Sequence, residues 1–306
     1  MDERARDTEE KLSALEAAME RLDDEAIVEA AGLAELALEF RDADAMIGLE
    51  PVDPARVERL RSRVDEALAL AAGRGHAGAA AKLAARRAAE ADFEGAVEAL
   101  AVAAERGDAP SAALAARYVL EGRLASRAAQ VTSWLDATSG SDATGAVAYA
   151  NALFAFHGVG REQDRAAAVA LHEAAAAKGH ADAMFELYAM KSQGLGGAKD
   201  PEAALAWCRR AAEAGNTRAM ANLGGFYATG SNGVEKDLAQ SVLWYDRAAR
   251  AGHGKAAATL GVMYAMGGEL DEDPEKAREY FALAEEVGYP WEQLAAAVGL
   301  DPDEFV

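Results

Sequence analysis

Five histidines, one cysteine, two glycine-rich loops and a carboxylate pair are the groups in this 306-residue chain that could do chemistry. His76, His157, His172, His180 and His253 could ligate a metal, and Cys208 could act as a nucleophile. The loops "GLGGAKD" (194–200) and "GSNGVEKD" (230–237) could cradle a phosphate, and Glu275 and Glu279, one helical turn apart, could share acid–base work. Each chemistry demands a spacing. A zinc helix of the H-E-x-x-H kind sets its two histidines one turn apart, whereas "HEAAAAKGH" holds His172 and His180 two turns apart. A phosphate loop reads G-x-x-x-x-G-K-[ST] after a strand, and neither loop does. A reactive thiol needs a base or cation beside it, and no His, Asp or Asn is placed by sequence to activate Cys208. A carboxylate pair needs a pocket that raises one pKa, but "LDEDPEKAREY" reads as a solvated face. The expectation is a chain with no catalytic residue, no cofactor and no metal.

The elements that carry these groups repeat. The string A-(x)-G-[H/N], with x present or absent, recurs in "AAAKGHADAM", "AAEAGNTRAM" and "AARAGHGKAA"; its landmark glycine column falls at Gly75, Gly107, Gly140, Gly179, Gly215, Gly252 and Gly288, at intervals of 32, 33, 39, 36, 37 and 36. Fifteen residues before the glycine stand Asp92, Asp164, Asp200, Asp237 and Asp273. Small, aliphatic or aromatic residues occupy −11 (Ala96, Ala168, Ala204, Ser241, Ala277), −8 (Ala99, Leu171, Trp207, Trp244, Tyr280) and −4 (Ala103, Ala175, Ala211, Ala248, Ala284). That spacing is one face of a helix. A second helix follows, with small residues at +4 (Ala79, Ser111, Ala183, Ala219, Ala256) and Leu83, Ala115, Leu187, Leu223 and Leu260 at +8. The Asp column suits N-capping, Pro201 and Pro274 suit the first helical position, and the glycine suits a left-handed stop at the helix end, which costs Gly little. Gly224 and Gly261 share one mid-helix column, predicting a neighbour packed too close for a side chain. His76, His180 and His253 each follow the landmark glycine, a polar turn column rather than a convergent cluster.

This tile resembles the Sel1-like repeat, a relative of the tetratricopeptide repeat (TPR). Ala219, Leu223, Gly224, Tyr227, Gly230, Gly233, Val234, Asp237, Trp244, Tyr245, Ala248, Ala249 and Gly252 follow the family pattern in order, with Ser241 and Arg247 departing from it. The resemblance implies an all-α fold, a right-handed α/α superhelical solenoid of helix pairs with helical caps. It divides the chain into an N-terminal capping helix (1–23, with Leu12, Leu15, Met19 and Leu22 on one face), degenerate pairs (24–139, Pro51 and Pro54 marking the first turn), well-formed repeats (140–289) and a C-terminal cap (290–306). Family members are mostly adaptors that bind other proteins, so the implied function is a non-catalytic interaction module that uses the concave groove. The groove-facing column is expected at +7, where Lys82, Glu186, Asn222 and Thr259 are the candidate partner-binding residues, with Leu114 in the same column.

Charge narrows the partner. The formal net charge is −21, and residues 269–306 alone carry −10. Phosphates would be repelled, so neither nucleic acid nor an anionic membrane is expected, and a basic protein is one reading of the partner. An alternative within the same family is a bacterial immunity protein that masks a basic toxin. The single cysteine allows no internal disulfide and the charged start lacks an apolar signal core, which together predict a cytoplasmic protein.

Overall fold

The computed structural model describes residues 10, 13–14, 16–21, 23–33 and 54–305. Leu12, Leu15, Leu22 and Pro51, expected to shape the N-terminal cap and first turn, lie outside the described residues. The chain forms two compact units, 1–163 and 164–306. No strand occurs among the described residues.

In the first unit, helical stretches at 16–21 and 24–33 precede α1 (Pro54–Gly73), α2 (Ala77–Ala89), α3 (Phe93–Glu105), α4 (Ala109–Glu121), α5 (Ala125–Thr138) and α6 (Ala146–His157). Its core joins Ile27, Leu60, Leu68, Leu100, Leu135 and Phe154, all sealed from solvent, and Met19 packs partly buried against it. Trp134, off the repeat column in sequence, is nonetheless 5% exposed in this core. The α2–α3 and α4–α5 loops are tight. They turn through Ala91 (φ +61°) and Arg123 (φ +53°), two non-glycine residues in the left-handed region, where a side chain costs about 1–2 kcal/mol.

The second unit contains α7 (Arg165–Ala177), α8 (Ala181–Gln193), α9 (Pro201–Glu213), α10 (Thr217–Thr229), α11 (Leu238–Arg250), α12 (Gly254–Met266), α13 (Pro274–Glu286) and the short closing helix α14 (Trp291–Ala297). One hydrophobic cluster gathers Met184, Leu187, Cys208 and Leu223, with Trp207 and Trp244 partly buried against it. The other gathers Leu260, Tyr280, Phe281, Trp291 and Phe305. Trp291 stacks on Phe281 at 4.1 Å between centroids and Phe305 meets the same ring edge-on at 5.4 Å, so the closing segment covers the last core. Sealing a ring such as Phe281 is worth about 1.5–3 kcal/mol.

The caps explain the register. Asp92, Asp164, Asp200, Asp237 and Asp273 each accept a hydrogen bond from the backbone N–H three residues on, at 2.9–3.0 Å, satisfying a donor that the first helical turn leaves orphaned. Gly75, Gly107, Gly179, Gly215, Gly252 and Gly288 all have φ between +69° and +98°. Gly140 departs from the expectation: it sits in a 3₁₀ turn (Ser139–Ser141) and is not left-handed. Its interval to Gly179 is the longest of the series, and the extra residues form a different stop. Asp142 accepts from the N–H groups of Gly145 and Ala148, and Gly145 (φ +83°) opens α6 instead. The columns at +4, +8, −4 and −11 are buried in every tile read above. Because most are Ala or Ser, neighbouring helices approach closely.

Candidate functional site

Three of the five histidines cap helices. The Nδ1 atoms of His76, His180 and His253 accept from the N–H of Ala79, Ala183 and Ala256 at 3.1, 3.3 and 3.1 Å. In the same column Asp108 and Asn216 cap Ser111 and Ala219 at 2.9 and 2.8 Å. The polar turn column is thus a second set of N-caps, a role the sequence reading left unassigned because imidazole is a rare cap. His172 is 1% exposed in α7, and burial first, then nearby His180, pulls its pKa down to about 4. His157 ends α6 at the surface. Among the described residues no three His, Cys, Asp or Glu side chains gather to hold a metal.

Cys208 is fully buried, its thiol directed at the Ala219 carbonyl at 3.7 Å. Burial pushes its pKa up to about 12, so the thiolate that chemistry requires is suppressed. Glu275 and Glu279 are exposed, and Glu279 pairs with Arg250 at 3.0 Å. The loop glycine Gly196 (φ +76°) lies against the backbone of Arg165, so close that a Cβ would strike its carbonyl. That loop packs on α7 through Arg165 and Val169.

The second unit holds a groove of about 600 Å³. It runs between the first helices of three successive tiles: Phe185 from α8; Arg218, Ala221, Asn222, Gly225 and Phe226 from α10; Lys255, Ala256 and Thr259 from α12. His253 and Tyr245 complete the lining. Arg218, Asn222 and Gly225 recur at helical spacing, so they share a face. The Tyr245 hydroxyl reaches the groove beneath Gly225, 3.2 Å from where a Cβ would stand. The Arg218 guanidinium lies over the Phe185 ring at 4.3 Å and within 3.9 and 3.8 Å of the carboxylates of Asp182 and Glu186.

Of the expected +7 residues, Asn222 and Thr259 line this groove, and Glu186 stands beside it through Arg218. Lys82 belongs to α2 of the first unit, its ammonium 3.1 Å from the Cβ position of Gly32. The sequence reading missed Arg218, Lys255, His253 and Tyr245. The signal was present for the first two, since the +3 column reads Asp182, Arg218, Lys255 and lies one turn from +7 on the same face. The first unit holds a groove of about 690 Å³ lined by Val119, Leu124, Ala128, Val159, Arg123 and His157 among others, more apolar than the first.

A fold of capped helix hairpins closed by glycine turns is that of a tandem-repeat protein. The Sel1 repeat model matches four consecutive stretches, 145–180, 181–216, 217–253 and 254–289. Over residues 145–289, just under half of the chain, the sequence is thus similar to the Sel1-repeat family. Among solved structures, a Sel1 repeat protein from Oxalobacter formigenes is similar with 23% identity and a TM-score of 0.60, covering 90% of this chain and 82% of that one. The protective antigen c5321 of uropathogenic Escherichia coli strains is similar with 24% identity and a TM-score of 0.52, covering 95% of this chain and 66% of that one. Both likenesses concern the fold. No curated protein matches the sequence significantly. No helix among the described residues is long and apolar enough to cross a membrane.

Proposed function

We propose that this chain is an interaction module whose second unit holds a segment of a partner protein in the groove between α8, α10 and α12. The observation that carries this reading is the convergence of three first helices on one cavity of about 600 Å³, bordered by aromatic and polar side chains together. Phe185, Phe226 and Tyr245 supply apolar area, while Asn222, Thr259, Arg218 and Lys255 supply hydrogen bonds and charge, the mixture that marks binding surfaces. Glu186 contributes by holding Arg218. Lys82 is a candidate contact of the first unit alone.

Affinity capture from the native cell tests the proposal, with the parent chain and Gly225→Leu as baits. Leu at Gly225 fills the groove from its floor. Partners captured by the parent and lost with the filled groove support the reading; equal capture by both removes it. The immunity-protein alternative draws on net charge, and a basic toxin among the captured proteins would favour it.

A further inference from the structure

The groove has a local chemistry unlike that of the chain. Among 52 Asp and Glu residues in the sequence, none lines it. Asp182 and Glu186 on α8 lie within 3.9 and 3.8 Å of Arg218. Among the described residues, the Lys255 ammonium, the Asn222 side-chain amide and the Tyr245 hydroxyl make no hydrogen bond or ion pair, yet all three residues line the cavity. His253 adds a further donor. Its Nδ1 accepts from Ala256, so the neutral ring carries its proton on Nε2. Thr259 donates its hydroxyl to the Lys255 carbonyl at 2.7 Å, which leaves its oxygen free to accept.

We infer that the groove selects an extended acidic segment of the partner, with one carboxylate side chain seated on Lys255 and Asn222 and an apolar neighbour against Phe226. This rests on the groove being the partner-binding site and names the chemistry of what enters it. A single carboxylate matches the single uncompensated cation, and charge-assisted hydrogen bonds of this kind are stronger than neutral ones. A phosphorylated segment fits less well. Its second charge calls for a guanidinium fork, and Arg218 is stacked on Phe185 and paired with two acids. The field of a chain at −21 adds a long-range penalty for each further negative charge. A basic segment would meet Lys255 with no acid in the lining to receive it.

Selection of short random displayed peptides against the full chain tests the inference. The same selection is run on Lys255→Ala, Lys255→Glu, and two variants that fill the groove from different helices, Gly225→Leu in α10 and Thr259→Phe in α12. Circular dichroism melts establish which variants fold as the parent does. The parent is expected to enrich Asp or Glu at one fixed position beside an apolar residue. Lys255→Ala should weaken the selected peptide about tenfold or more, as expected for loss of a charged hydrogen-bond partner, and Lys255→Glu should select Lys or Arg at that position instead. Both filled variants should lose the selection. If they lose it but the parent's peptides carry a basic residue or no charge preference, the acidic assignment fails and the groove reading stands. If folded filled variants still select the parent's peptides, the groove reading fails with it. Absence of any enriched peptide with the parent overturns the inference as well.

Discussion

The ring of Tyr245 occupies the space that a side chain on Gly224 would take: a Cβ built on Gly224 stands 2.7 Å from the ring Cγ. One tile later the same relation holds between Phe281 and Gly261, at 2.5 Å to the ring edge. One tile earlier the sizes invert. Tyr188 fills the glycine column, and the −7 column holds the small Cys208 in the same cluster. Burial, and then Cys208 itself, pushes the Tyr188 hydroxyl pKa up. A large residue on one helix is matched by a small one on its partner, whichever helix carries it.

Gly224→Ala should therefore destabilise the second unit by about 1–2 kcal/mol, since overpacking outweighs the gain in helix propensity of about 1 kcal/mol. In a Tyr245→Ala background, which removes Cγ and the ring together, the same change should be neutral or stabilising. Urea denaturation of the two singles and the double checks both, and an equal cost in both backgrounds would show that the ring is not the cause.

The capping aspartates should be individually modest and mutually independent. Asp200→Ala and Asp237→Ala should each cost about 1 kcal/mol, while Asp200→Asn, which keeps the acceptor, should cost little. Their double variant should be additive to within about 0.5 kcal/mol, because the two caps share no partner. Chemical denaturation at neutral pH reads all four.

His172 should make stability depend on pH between its unfolded value near 6.5 and its folded value of about 4. In that window the unfolded chain binds the proton that the folded chain refuses, so stability falls as pH falls. The full effect is on the order of 3 kcal/mol once pH is below both values. His172→Leu should flatten this component. Comparing the difference in unfolding free energy between parent and variant at pH 7 and at pH 5 isolates it from the protonation of the carboxylates.

Ala91 sits exposed at φ +61°. Replacing it with Gly should raise stability by about 0.5 kcal/mol, the relief of left-handed strain exceeding the extra freedom given to the unfolded chain. A thermal melt that shifts downward would contradict this.

The helix columns were legible in the sequence because each answers a steric demand that every tile repeats. Ala at −4 and −11 permits close approach, Asp at −15 caps, and Gly224 announces its ring before the ring is located. Gly140 misled because its interval hides a different turn, in which Asp142 and Gly145 take over. The second row of caps was hidden by residue type, since His76, His180 and His253 read as candidate ligands before they read as acceptors. The groove was half legible. Its +7 residues Asn222 and Thr259 lie on helices whose outward face the pattern reveals. Tyr245 enters from the following helix, and only because Gly225 lets its hydroxyl come through. Periodicity on one helix cannot report a side chain arriving from another.

Each tile of the second unit carries its own start signal, its own stop and its own matched pair of large and small side chains. Such a module is a self-contained inheritance unit. A gene segment encoding one tile can be duplicated or lost in frame, and the copy brings along every instruction needed to dock on its neighbour. Lineages of this protein can thus change the length of their array by whole steps of 36 or 37 residues, with the groove residues free to diverge in each new copy.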